Sequence, residues 1–107
     1  MENRFEKYSL YVKENGVIIG VNQEAVALCE EGLLKFSSLF YHHFGSINKD
    51  ENLVSIHSGG WSENEALIRE FEESFWWMRY FVAEFRGGHY YFQLEGEKEW
   101  DIIPKNK

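Results

Sequence analysis

Between Ser55 and Phe71 the chain reads SIHSGGWSENEALIREF. His57 supplies an imidazole, Ser58 and Ser62 supply hydroxyls, and the Gly59-Gly60 pair offers backbone that a ligand can approach closely. If a strand ends at His57 and a helix starts at Ser62, the loop lies where free helix amides attract anions and where open α/β sheets bind ligands. A second segment, Arg86-Gly87-Gly88-His89, sets a guanidinium and an imidazole on either side of a tight turn, a pair able to meet a carboxylate or a phosphate. The candidate ligand-binding residues are therefore His57, Gly59, Gly60, Trp61, Arg86 and His89.

Neither segment is a specific motif. The first lacks the lysine of a phosphate loop and the third glycine of a dinucleotide fingerprint, and Glu63 and Glu65 compete with any anion for the helix amino terminus. Such a segment is more often a corner, with Trp61 plugging the edge of a core. Arg86-Gly87-Gly88-His89 is more often a solvated hairpin tip. His42 and His43 close a predicted helix, where partial negative charge suits an imidazolium, and they lack zinc spacing. Cys29 falls in an apolar helical stripe and behaves there as a small hydrophobe. A catalytic set drawn from Ser58, His57, His89 and Glu84 has nothing in the sequence to fix its geometry. No catalytic residue, metal ligand or cofactor follows from these patterns.

Two hairpins and two helices have to position these residues. Asn15-Gly16 is the strongest short signal for a two-residue hairpin loop, and within Phe5 to Val21 it pairs Val12 with Ile19 and Leu10 with Val21 on one aliphatic face. Asn22 caps a helix that begins at Gln23 and runs to the stop at Gly45, with Val26, Cys29, Leu33, Phe36, Phe40 and Phe44 on one stripe. Gly32 inside that run marks a break or a close packing contact. SINKDEN is polar and turn-forming, and Leu53 to His57 is a short interior strand. Ser62, with Glu65 three positions on, opens a helix ending near Ser74 whose buried face carries Ala66, Leu67, Phe71 and Phe75.

The aromatic run after Ser74 and the Gly87-Gly88 pair indicate a second hairpin. A two-residue loop there faces Phe85 with Tyr90, Ala83 with Phe92 and Phe81 with Leu94. The tail after Gly96 adds a short edge strand before Pro104. The fold class is α+β: order ββαβαββ, a two-layer sandwich with a mixed sheet of about five strands, its inner ones parallel, and two helices on one face. The outer face of that sheet would carry Tyr11, Ile18, Tyr80, Val82 and Tyr91, with Trp76 and Met78 nearby, an interaction surface for a protein partner or a second copy unless the tail with Trp100, Ile102 and Ile103 covers it.

The chain has 107 residues, the size of a single domain over 1–107 with frayed ends at 1–4 and 104–107. Nine Phe, six Tyr and four Trp give so short a chain ample apolar area, which argues against disorder. Eighteen acidic against eleven basic side chains leave a net charge of -7, which repels phosphate backbones and anionic membranes. A single cysteine, the absence of an apolar leader at MENRFEKYSL and the absence of any run of membrane length point to a cytoplasmic, soluble protein.

GGWSENE at Gly59 to Glu65, FWW at Phe75 to Trp77 and GGHYYF at Gly87 to Phe92 together resemble a family of small proteins from bacteriophages, prophages and mobile elements, including those of gut Bacteroidales. The likeness covers residues 53 to 94 best. The family has no assigned activity, so the resemblance implies a bacterial or phage-infected cytosol and no mechanism. The leading expectation is a non-enzymatic accessory protein acting by protein–protein interaction or self-association. The alternatives are a small-ligand binder or enzyme built on the His57–Trp61 loop and His89, and an acidic nucleic-acid mimic that inhibits a host defence enzyme.

Overall fold

The structure, a computed structural model, describes residues 3–94. In chain order, a 3-10 turn at Glu6–Tyr8 precedes strands β1 (Tyr11–Glu14) and β2 (Val17–Val21) and helices α1 (Gln23–Ala27) and α2 (Cys29–Leu39). Strands β3 (Ser46–Asp50) and β4 (Leu53–His57), helices α3 (Ser62–Phe71) and α4 (Phe75–Tyr80), and strands β5 (Phe81–Phe85) and β6 (His89–Gln93) follow. The class is α+β. No described helix is long and apolar enough to cross a membrane.

The strand grouping corrects the expected single sheet of about five strands. β1 and β2 form a sheet of their own, and the order of the other sheet is β3-β4-β6-β5, with every neighbour antiparallel. The partner of β4 that sequence reasoning missed is Ser46–Asp50, read as a turn because Ile47 is its only apolar residue. The bend at Glu51 (φ 56) and Asn52 folds it straight back, pairing Asp50 with Leu53. Closing so short a loop costs far less entropy than a crossover to a distant strand. The edge strand expected after Gly96 and the fraying at 104–107 lie outside the described residues.

The described residues fall into two compact units, one drawn from 3–39 and 66–79, the other from 40–65 and 80–94. The first is built on aromatic packing. Phe71 stacks on Phe36 at 4.5 Å between ring centroids, and it meets Phe5 at 5.0 Å, Trp76 at 5.6 Å and Trp77 at 6.1 Å. Leu67 and Ile68, on the same helix, are buried as well, whereas Ala66 is exposed. Asn22 caps α1 by accepting from the Glu24 N–H. The long helix expected over Gln23 to Gly45 breaks at Leu28, the C-cap of α1, and ends at Leu39, so Phe44 leaves the stripe and is exposed. Gly32 makes the close contact: a Cβ there would lie 3.4 Å from Tyr8 and 3.6 Å from Phe71.

The run after Ser74 opens with a helical turn before it becomes a strand. The Ser74 hydroxyl accepts from the Trp77 N–H, the N-cap bond that starts α4, and Trp76 and Trp77 are buried by it. An expected outward position for Trp76 is thereby corrected. Residues 3 and 4 are also tied down. Asn3 Nδ2 donates to the Glu70 carbonyl, and Arg4 donates to the Glu70 carboxylate from its backbone N–H, Nε and Nη2 at 2.9 to 3.0 Å.

Those Arg4 bonds hold the Glu70 carboxyl below its ordinary value, with burial acting in the opposite sense. A depressed carboxylate pKa contributes stability that is present above the unfolded-chain value and is lost as the pH falls through the folded one. The pair is partly exposed, so the effect is small. Glu70→Gln is expected to lower the urea midpoint at pH 7, with the gap from wild type narrowing as the pH falls below 4.5, the ordinary value. An equal gap at every pH would show that the charge contributes nothing.

In the first hairpin the turn forms as read, with Asn15 and Gly16 both at positive φ, and Lys13 faces Ile18. A bulge then shifts the ladder, so Val12 faces Gly20 and Tyr11 faces Val21 where Ile19 and Leu10 were expected. Neither face becomes a core face: Val12, Val17, Ile18, Ile19 and Val21 are all exposed.

In the second unit β4 and β6 alternate cleanly. Val54, Ile56, Tyr90 and Phe92 are buried, while Ser55, His57, His89 and Tyr91 face the other way. β5 departs from the expected register because its loop has three residues, Arg86-Gly87-Gly88, so Phe85 faces His89 and Ala83 faces Tyr91. The one-residue shift turns Phe85 onto the outer face, where it meets Tyr91 at 5.6 Å. A bulge at Val82 then restores Phe81 to the buried side against Phe92 at 5.8 Å.

Candidate functional site

The outer face of β4 and β6 gathers two of the candidate ligand-binding side chains. His57 and His89 are cross-strand partners, and their Nδ1 atoms lie 2.8 Å apart. One imidazole must donate and the other accept, so a neutral pair needs opposite tautomers. Burial pushes the His57 imidazole below its ordinary value, and the charge of a protonated His89 acts in the same direction. Tyr91 turns its ring edge to His57 at 5.9 Å. Further along the same strands a recess of about 200 Å³ is lined by Asn48, Asp50, Leu53, Val54, Ser55 and Tyr91.

The loop after His57 is a corner held by hydrogen bonds. Asn64, fully buried on the first turn of α3, accepts from the Tyr41 N–H at 2.8 Å and donates to the carbonyls of Tyr41 and Ser58 at 3.2 and 3.1 Å. The Ser58 hydroxyl, also buried, accepts from the Gly60 N–H and donates to Glu65. Glu65 thus serves Ser58, and the capping box expected between Ser62 and Glu65 is replaced by a Ser62 bond to Glu63. Gly59 has φ +70, and a Cβ there would run into the Phe44 carbonyl oxygen, so only glycine fits. Trp61 stacks on Phe44 at 4.2 Å and meets Tyr41 edge-on at 6.3 Å. Its Nε1–H is buried with no hydrogen-bond partner among the described residues.

Of the ligand-binding candidates, the fold thus joins His57 to His89, packs Gly59 and Trp61 against the Tyr41–Phe44 segment, and leaves Gly60 and Arg86 exposed. The expected interaction face is not one surface. Tyr11 and Ile18 belong to the hairpin of the first unit, Tyr80 is buried at the end of α4, Val82 sits in the β5 bulge, and Tyr91 shares the face with the histidines. Sequence reasoning overlooked Asn48, Asp50 and Ser55 at the recess and Asn64 at the corner. The first two could be found only by recognising β3.

Cys29 is buried, and that burial, followed by the nearby Glu30, raises its thiol above the ordinary value, against a nucleophilic role. Among the described residues no group of three or more His, Cys, Asp or Glu side chains is placed to hold a metal ion. Comparison with protein-family models, with curated proteins and with solved structures gives no match.

Proposed function

We propose that the protein works by non-covalent association with protein, in the first instance with a second copy of itself, through the β1–β2 hairpin. The observation that carries this is the exposure of Val12, Val17, Ile18, Ile19 and Val21 on a two-stranded sheet. A lone two-stranded hairpin is marginal in water, and a cluster of branched aliphatic side chains left in solvent marks a contact surface. Completing the burial of one half-exposed aliphatic side chain is worth about 1 kcal/mol. Two copies together gain on the order of 10 kcal/mol, against an association cost of about 4 to 15 kcal/mol. The contact is therefore weak, and the net charge of -7 on each copy opposes it. The resemblance to mobile-element proteins supports an accessory role in a bacterial cytoplasm.

The weight-average mass, measured by light scattering against concentration, is expected to rise toward a dimer, more steeply at high salt because screening removes the repulsion. Ile18→Glu with Ile19→Glu should leave a folded monomer. A wild type that stays monomeric at high salt and at millimolar protein would sink the self-association reading. Retained dimer in the double variant would move the contact off the hairpin.

A small-ligand reading rests on the recess beside Tyr91. At about 200 Å³ it is smaller than the roughly 300 to 1,000 Å³ of usual ligand sites, which places this reading second.

A further inference from the structure

The recess beside Tyr91 belongs to the second unit, whereas the hairpin belongs to the first, and the inference drawn from it rests on the small-ligand reading. We propose that this recess binds a small primary ammonium ion, its charged head held by Asp50, Asn48 and Ser55 and its apolar body lying against Leu53 and Tyr91.

The strand register creates the hollow. Asn48, Ser55 and Tyr91 stand opposite one another on β3, β4 and β6, and Ser55 is the smallest of the three, so the middle of the row is low. Asp50 and Leu53 pair at the β3–β4 turn and close one end. The Tyr91 wall is fixed. Its ring is held by contacts with His57 at 5.9 Å and Phe85 at 5.6 Å, so the shape exists before a ligand arrives and little ordering is left to offset.

The polar groups select the charge. Asp50 is the single charged side chain among the described residues lining the recess, and it makes no ion pair or hydrogen bond with any of them. The amide nitrogen of Asn48 is engaged, donating to the Ser46 hydroxyl at 3.2 Å, which leaves Oδ1 to accept. Ser55 adds a hydroxyl that accepts as well. Three acceptors carrying one negative charge match the three N–H donors of a primary ammonium, whereas an anionic ligand is repelled. The net charge of -7 acts in the same direction. An apolar cavity of about 150 Å³ holds benzene, so about 200 Å³ accepts about eight non-hydrogen atoms, the size of benzylammonium. A ligand that small binds with a dissociation constant on the order of 1 mM.

The test titrates the full chain, labelled with nitrogen-15, with benzylammonium, benzyl alcohol and benzoate at one pH and ionic strength, and follows the amide resonances. Benzylammonium should move the Asn48, Ser55 and Tyr91 signals first, with benzyl alcohol about three- to fivefold weaker, as a solvent-exposed charge pair allows, and benzoate weaker still. D50N should weaken benzylammonium by the same factor and leave benzyl alcohol unchanged. Ser55→Leu, which fills the hollow from an outward-facing position, should abolish the response to all three. Circular dichroism reports whether the variants fold, and the comparison of the three compounds on the wild type stands without them. Benzyl alcohol binding as tightly as benzylammonium, or D50N without effect, would overturn the ammonium assignment and leave the small-ligand reading standing. Shifts spread over the acidic surface and unchanged by Ser55→Leu would overturn it as simple counter-ion attraction. Silence of these amides toward all three compounds at tens of millimolar would end both readings.

Discussion

Phe71→Ala is expected to cost about 3 to 5 kcal/mol, the usual range for deleting a fully buried phenylalanine ring. The ring has no exposure and lies at the centre of a cluster with Phe5, Phe36, Trp76 and Trp77. These four partners come from the amino-terminal turn, α2 and α4, so a cavity at Phe71 loosens three elements together. Collapse around it is limited because the large rings cannot shift independently. In a domain of this size the loss corresponds to a fall in Tm of about 15 °C or more, which for a chain of ordinary stability leaves little folded protein. Urea unfolding of Phe71→Ala and Phe71→Leu measures it, the leucine variant losing roughly half as much. A loss under about 1 kcal/mol for alanine would mean that the cluster is not the core of the first unit.

Asn64→Leu should be nearly as damaging, for the opposite reason. Leucine fills a similar volume, so no large cavity forms, but the Tyr41 N–H and the carbonyls of Tyr41 and Ser58 lose their side-chain partner. Each buried polar group left unpaired costs about 1 to 3 kcal/mol. Partial access of water to Tyr41 offsets some of this, so about 3 kcal/mol is the expected loss. Asn64→Asp keeps the bond from the Tyr41 N–H but sets a buried carboxylate oxygen against the carbonyls of Tyr41 and Ser58, and should cost at least as much as leucine. Hydrogen exchange supplies a second reading: the Tyr41 amide should exchange faster in the leucine variant and remain protected in the aspartate variant. Equal protection in both would show that Asn64 does not hold this corner.

Local chemistry was legible wherever a few adjacent residues decide the outcome. Asn15-Gly16 makes its turn, Asn22 caps its helix, Leu53 to His57 is a strand, and β6 presents alternate faces as read. Register was less legible, because one residue of loop or bulge reverses a face. The three-residue loop Arg86-Gly87-Gly88 and the bulge at Val82 rearranged β5, and a bulge beside Lys13 displaced Val12 from Ile19. Of the candidate site, the chemical types of His57 and His89 were plain, but not their meeting, which depends on pairing across 32 positions of chain.

The amino-acid order alone determined the α+β class, the net negative charge, the Asn22 cap of α1 and the Asn15-Gly16 turn, since propensity, charge and capping act within a few residues. Long-range pairing settled the division of the strands between two sheets, the exposure of the first hairpin, the burial of Asn64 and the contact of two imidazoles. Those outcomes depend on which of several compatible edges and faces close with the least entropy and the fewest unpaired groups, a competition that no short window of sequence contains.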